Sequence, residues 1–67
     1  MAVARVTEII ASSPKGFEDA INEGLTRAAK TLRGITGIHV VSLKAAVEDG
    51  KITEYRAQMN ITFILEG

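Results

Sequence analysis

Few side chains in this 67-residue chain are equipped for chemistry: one histidine, His39, no cysteine, and eight Asp and Glu in all. His39 shares its alternation with Val41 and Leu43 and reads as a satisfied or rim histidine of an apolar face, more than as a general base or a ligand. Glu8 stands within an apolar stretch, and a single carboxylate with no evident partner more often makes a salt bridge than moves a proton. A transition-metal site needs several His, Cys or Asp/Glu ligands at helical or turn spacing, and the sequence offers no such set. Glu48-Asp49-Gly50 supplies a few oxygens of the kind calcium takes, but a hairpin turn accounts for the same residues. There is no glycine-rich phosphate loop of recognised spacing. The residue types argue against an enzyme and leave a binding role.

The elements that would carry these residues are legible. Residues 3–12 are rich in Val, Thr and Ile and predict a strand. Ala4, Val6 and Ile10 fall on one side of it; Val3, Ile9 and Ala11 fall on the other, so neither side is polar and both are expected to be covered. Ser12-Ser13-Pro14 should end the strand and open a helix, with a serine oxygen accepting free N–H groups and proline at the first helical position. Phe17, Ala20, Ile21, Leu25, Ala28 and Leu32 then define a helical face. Glu18, Asp19 and Glu23 precede Arg27, Lys30 and Arg33, an order that complements the helix dipole, and Glu23–Arg27 is a favourable i,i+4 pair. Gly34 is placed to follow the helix end.

Residues 38–47 and 51–65 predict a hairpin around Glu48-Asp49-Gly50. In the last strand Tyr55, Ala57, Met59, Ile61, Phe63 and Leu65 alternate with Glu54, Arg56, Gln58, Asn60 and Thr62. In the strand before it, Val41, Leu43, Ala45 and Val47 are apolar. Opposed residues share a face, so odd should pair with odd. A three-residue loop with Gly50 in the left-handed region meets that condition, setting Val47 opposite Lys51, Lys44 opposite Glu54 and Ser42 opposite Arg56. The expected architecture is α+β: a two-layer β-α-β-β unit spanning residues 1–67 as one domain, its three-stranded antiparallel sheet in order 1-3-2 packed on one helix. The sheet face away from the helix would carry Glu54, Arg56, Gln58, Asn60 and Thr62 with Lys44, Ser42, Val40 and Ile38.

Composition narrows the partners. Eight Lys and Arg balance eight Asp and Glu, which leaves no basic field for nucleic acid. Three aromatics, Phe17, Tyr55 and Phe63, are too few for a base-stacking platform. No apolar run approaches the ~18 residues that span a bilayer, and the charged start Arg5–Glu8 does not fit a signal peptide, so a cytoplasmic location is expected. A chain of this size buries only about 60% of its unfolded surface. Yet 46% of its residues are hydrophobic and its mean hydropathy is +0.16. With no disulfide available, self-association into a homo-oligomer is the expected remedy.

The pattern as a whole resembles the dodecin family. The resemblance rests on Val6-Thr7-Glu8-Ile9-Ile10, the Ser12-Ser13-Pro14 junction, Arg27-Ala28 with Thr31-Leu32-Arg33, Asp49-Gly50, Tyr55-Arg56 and Phe63-Ile64-Leu65, in order over nearly the whole chain. It implies a β-α-β-β subunit assembled as a hollow homododecamer that binds flavins (riboflavin, lumiflavin or FMN) for storage or quenching, not for catalysis. A smaller branch without flavin is associated with calcium. The family's flavin-site positions fall on Gly37, where flavin-binding members carry a stacking tryptophan, on Arg56, where they carry a glutamine that reads the ring edge, and on Lys44, a basic position able to meet a phosphate. Some relatives carry an arginine where Ile64 stands. With Gly37 and Arg56 at these positions, weak or absent riboflavin binding is expected. Three functions follow as alternatives: a shell storing flavin or another small ligand, a shell holding calcium or anions at its symmetry axes, or a scaffold with no ligand.

Overall fold

A computed structural model describes residues 3–65. The order is β1 (Val3–Ser13), α1 (Phe17–Thr31), β2 (Ile35–Glu48) and β3 (Lys51–Leu65). The sheet order is β1-β3-β2, with β3 antiparallel to both neighbours. The two-layer α+β arrangement expected from the sequence is the one found. β1 runs one residue further than expected, and β2 begins three residues earlier and ends one later.

The helix starts later than the Ser-Pro signal suggests. Gly16 is its N-cap residue and makes no side-chain cap, so Pro14 lies in the connection and not in the first turn. Ser13 still performs the service expected of a serine there. Its Oγ accepts the Lys15 N–H at 3.0 Å and donates to Asp19 Oδ2 at 2.5 Å, tying strand end to first turn. At the other end Leu32 is the C-cap, its N–H bonded to the Ala28 carbonyl. Gly34 therefore does not close the helix. It sits at φ +71 in the turn into β2, where its carbonyl accepts the Ile64 N–H at 2.9 Å.

The helix lies on β1 and β3 through Ala20, Gly24 and Ala28, all buried, one turn apart along a single stripe. Small side chains there let the axis come close to the sheet. A Cβ built on Gly24 would stand 2.6 Å from Met59 Cε and 2.9 Å from Ala11 Cβ. The core is correspondingly thin: Ala20, Ala57 and Met59, flanked by Ile9, Ala11, Ile21 and Ile38. Met59 and Ile61 are the largest side chains fully buried. Phe17 and Tyr55 pack edge to face with ring centroids 5.0 Å apart, fixing the helix start against β3.

The hairpin departs from the expected register. Its turn is the two-residue Asp49-Gly50, with both residues at positive φ (51 and 75) and Glu48 opposite Lys51. This is the mirror-image turn whose twist matches paired strands, and aspartate and glycine are among the residues that tolerate it. Such a turn sets odd opposite even, as in Val47↔Ile52. A register shift then leaves Thr53 without a partner and restores like parity at Ala46↔Glu54 and Ala45↔Tyr55. Lys44 is consequently opposite Arg56, and Ser42 is opposite Gln58. A second shift at Val41 exchanges the faces again, so that Val40 pairs with Met59 and Ile38 with Ile61. Ile38 and Val40 therefore join the helix-covered side, and His39, opposite Asn60, joins the other. Both are the reverse of the sequence expectation, because each bulge flips every side chain beyond it.

Two substitutions test this geometry. Gly50→Val should lower stability by about 1–2 kcal/mol in equilibrium denaturation, the cost of an L-residue in the left-handed region; a Cβ there meets nothing within 4 Å. Gly24→Ala should also destabilise, by about 1–3 kcal/mol for overpacking, although alanine is the better helix former.

Candidate functional site

The sheet face away from the helix is built in rows that cross all three strands. The pairings set Ser12, Arg56 and Lys44 in one row, Ile10, Gln58 and Ser42 in the next, Glu8, Asn60 and His39 in the third, and Val6, Thr62 and Gly37 in the fourth. β3 supplies the centre of each row because its even residues all point to this side. All three family positions, Gly37, Lys44 and Arg56, thus lie on one face. Lys44 and Arg56 are direct cross-strand neighbours, whereas Gly37 is three rows away, beside Thr62.

Gln58 is the hub of this face, and the sequence reading placed it here without assigning it a role. Its Nε2 donates to Glu8 Oε2 at 3.0 Å, and its Oε1 accepts from Ser42 Oγ at 3.2 Å. The amide spans β1, β3 and β2, with its oxygen and one N–H engaged. The available signal was the row itself, which needs the register before Glu8, Gln58 and Ser42 can be seen as neighbours. Beside this network Ile10, Ser42, Lys44, Arg56 and Gln58 line a depression of about 290 Å³. Its chemistry is an apolar edge from Ile10, two cations and two hydrogen-bonding groups. All three aromatics of the chain lie elsewhere: Phe17 on α1, and Tyr55 and Phe63 among the odd residues of β3.

Arg56 Nε donates to Glu54 Oε1 at 2.8 Å along the same strand. That hydrogen bond, with the guanidinium charge behind it and a smaller contribution from the Ser12 hydroxyl, holds the Glu54 carboxyl below its ordinary value. Gly37 has extended backbone and open space where a Cβ would stand, so a Cβ can be added there without collision. Among the described residues no three His, Cys, Asp or Glu side chains come together as a metal site, and His39 has Asn60 as its cross-strand neighbour. A second depression, of about 530 Å³, runs between the free edge of β1 and the helix, along Ile9–Ser12 and Glu23–Ala28.

The chain is similar to known proteins over nearly its whole length. The family model described as Dodecin matches residues 3–66. A dodecin from Thermus thermophilus is 31% identical over 64 residues, covering 96% of this chain and 93% of its own. A calcium dodecin from Mycobacterium tuberculosis is 36% identical over 64 residues, covering 94% and 89%. The solved structure of dodecin from Streptomyces coelicolor superposes with a TM-score of 0.94 at 32% identity, covering 98% of this chain and 94% of that one.

The Glu54–Arg56 pair makes a direct prediction. Because the folded-state pKa is depressed, the pair's contribution to stability is present above the ordinary glutamate value and is lost as pH falls through the lower folded value. An NMR titration should show Glu54 protonating at a lower pH than an unperturbed glutamate, and Arg56→Gln should return it to the ordinary range.

Proposed function

The chain belongs to the dodecin family, and we propose that it assembles into a closed homo-oligomeric shell, twelve chains by family resemblance, that stores a small ligand on the outer sheet face and catalyses nothing. The observation that carries the assembly is the amount of apolar surface a single chain leaves uncovered. Val3, Val6, Ile10, Val41, Leu43, Val47, Ile52 and Leu65 are all exposed, Ile10 by as much as 69%. The fold is also drawn out, 52 × 19 × 13 Å with a radius of gyration of 13.9 Å, where a compact domain of this length has about 11 Å. The hairpin tip, with Val47 opposite Ile52, projects beyond the helix and has nothing of its own chain to pack on. β1 and β2 each offer an unpaired edge as well. A second copy of the chain supplies both needs, and closed symmetry lets every copy use the same surfaces.

Flavin is the first ligand class to consider, by family resemblance, with Gly37, Lys44 and Arg56 at the positions concerned. Gly37 offers no ring to stack on, and aromatic stacking is worth about 0.5–1.5 kcal/mol beyond burial. Arg56 donates where a glutamine both donates and accepts. The native face therefore suits riboflavin poorly. Calcium, which the name of the Mycobacterium relative carries, is the second reading, with Glu8 and Glu54 as the carboxylates of this face.

Light scattering on the purified protein at low micromolar concentration should give a mass near twelve chains; a stable monomer would overturn the shell. In the same preparation, riboflavin quenching should show weak or no binding, and Gly37→Trp with Arg56→Gln should strengthen it clearly. Tight binding by the native chain would show that some other group on this face stacks the ring.

A further inference from the structure

β1 ends at Ser13, which pairs with Tyr55, and α1 begins at Phe17, packed on the same Tyr55. Beyond that row the β2–β3 hairpin runs on as two strands, with neither a third strand nor a helix against it. A two-stranded hairpin by itself is marginal in water, so the tip needs a surface to lie on. Leu43, Ala45 and Val47 alternate on the side that the helix covers further along, and Ile52 faces Val47 across the strands. Leu43, Val47 and Ile52 are all exposed. At the turn Glu48 stands opposite Lys51, and among the described residues neither is in an ion pair. The tip is thus an apolar strip that ends in one negative and one positive side chain.

The depression of about 530 Å³ between the free edge of β1 and the helix has the complementary make-up. Ile9, Ala11, Gly24 and Ala28 give it an apolar floor, and Glu23 and Arg27 stand along its helical wall. The strand edge adds N–H and C=O groups that no strand of the same chain pairs. Glu23 and Arg27 are one helical turn apart, with Cβ atoms about 5–6 Å from one another. Glu48 and Lys51, directly opposed on antiparallel strands, have theirs about 4.5–5.5 Å apart. The two charge pairs match in spacing, so that when one is laid antiparallel on the other each carboxylate meets a cation. Arg27 and Glu23 touch only loosely, at 3.7 Å with both side chains exposed, which leaves both groups able to take a further partner. A chain cannot fill its own groove, because its tip points away along the long axis of the fold. We propose that the hairpin tip of one copy seats in this groove of the next, with Val47 and Ile52 on the apolar floor, Glu48 against Arg27 and Lys51 against Glu23. The proposal rests on the homo-oligomeric reading above and names the surfaces that meet. Groove and tip are different parts of the same chain, so the contact is head-to-tail, the kind that closes into a ring when its rotation allows.

The test reverses charges at these four exposed positions and reads the mass by light scattering along a dilution series at low salt. Glu23→Lys with Arg27→Glu reverses the groove, and Glu48→Lys with Lys51→Glu reverses the tip. Each double variant keeps the chain's net charge and an opposite pair within the chain, so that only the contact between copies is set like against like. Like charges brought together at an interface cost several kcal/mol, and each variant should dissociate at a concentration at least about tenfold higher than the native protein. The variant carrying all four changes should return to the native dissociation curve. Val47→Asp, at an exposed position, should lower the mass as well; if that variant fails to fold, the charge reversals decide alone. Loss in both double variants with recovery in the fourfold variant supports the contact. Native mass and an unchanged dissociation curve in both double variants, or no recovery in the fourfold variant, overturns the contact and leaves the assembly standing. A native protein that is monomeric throughout overturns the assembly and the contact with it.

Discussion

β3 is the strand on which the other elements depend. It is the only strand with a partner on each side, and β1 and β2 reach one another only through it. Its odd residues Ala57, Met59 and Ile61 are fully buried under the helix, while Arg56, Gln58 and Asn60 form the middle of the opposite face. Because successive side chains of a strand point to opposite sides, core and site are two readings of the same residues. A one-residue slip of β3 would turn Arg56 towards the helix and Met59 away from it. The hydrophobic side therefore enforces the register that brings Lys44 beside Arg56.

Closeness of the helix to that strand is the second constraint. Ala20, Gly24 and Ala28 allow the backbone of α1 to approach until Gly24 has no room for a Cβ. A core built this thin buries few large side chains, so the chain cannot satisfy its apolar residues alone. The small-residue stripe thus connects to the need for partners: what the helix gains in close contact it does not gain in buried area. The exposed Val47 and Ile52 at the hairpin tip lie beyond the reach of this core, and Val6 and Ile10 of β1 are exposed on the opposite face.

The outer face combines a rigid and a poised part. Glu8, Gln58 and Ser42 are cross-linked over three strands by hydrogen bonds that also satisfy the glutamine's carbonyl and one of its N–H groups. Arg56 and Lys44, one row away, have donors to spare. Among the described residues Glu54 is the carboxylate that pairs with Arg56, and Lys44 makes no ion pair. The face is thus cross-linked around Gln58, while Arg56 is bonded to Glu54 through its Nε alone.

Much of this was legible in the residues. The alternation of β3 is nearly unbroken and identified both its faces, and the helix declared itself by its apolar spacing and the order of its charges. The 1-3-2 order followed from packing one helix on three strands. That Lys44 and Arg56 share a face also followed from parity. What the sequence did not determine was which residues stand opposite one another. The Asp49-Gly50 turn is short, and Thr53 and Val41 drop out of the pairing to reconcile its odd-to-even start with the buried sides of both strands, with a third shift between Ile35 and Gly37. Neither carries a local mark, since a threonine or valine is ordinary in a strand and a bulge shows itself only against a partner. Their consequence is not local: Ile38 moves into the core, His39 moves out, and Lys44 exchanges an expected carboxylate neighbour for a guanidinium. Periodicity along one strand is a property of that strand's residues alone, whereas register is decided by how twist, turn and core fit together across three strands, and only the tertiary structure contains that fit.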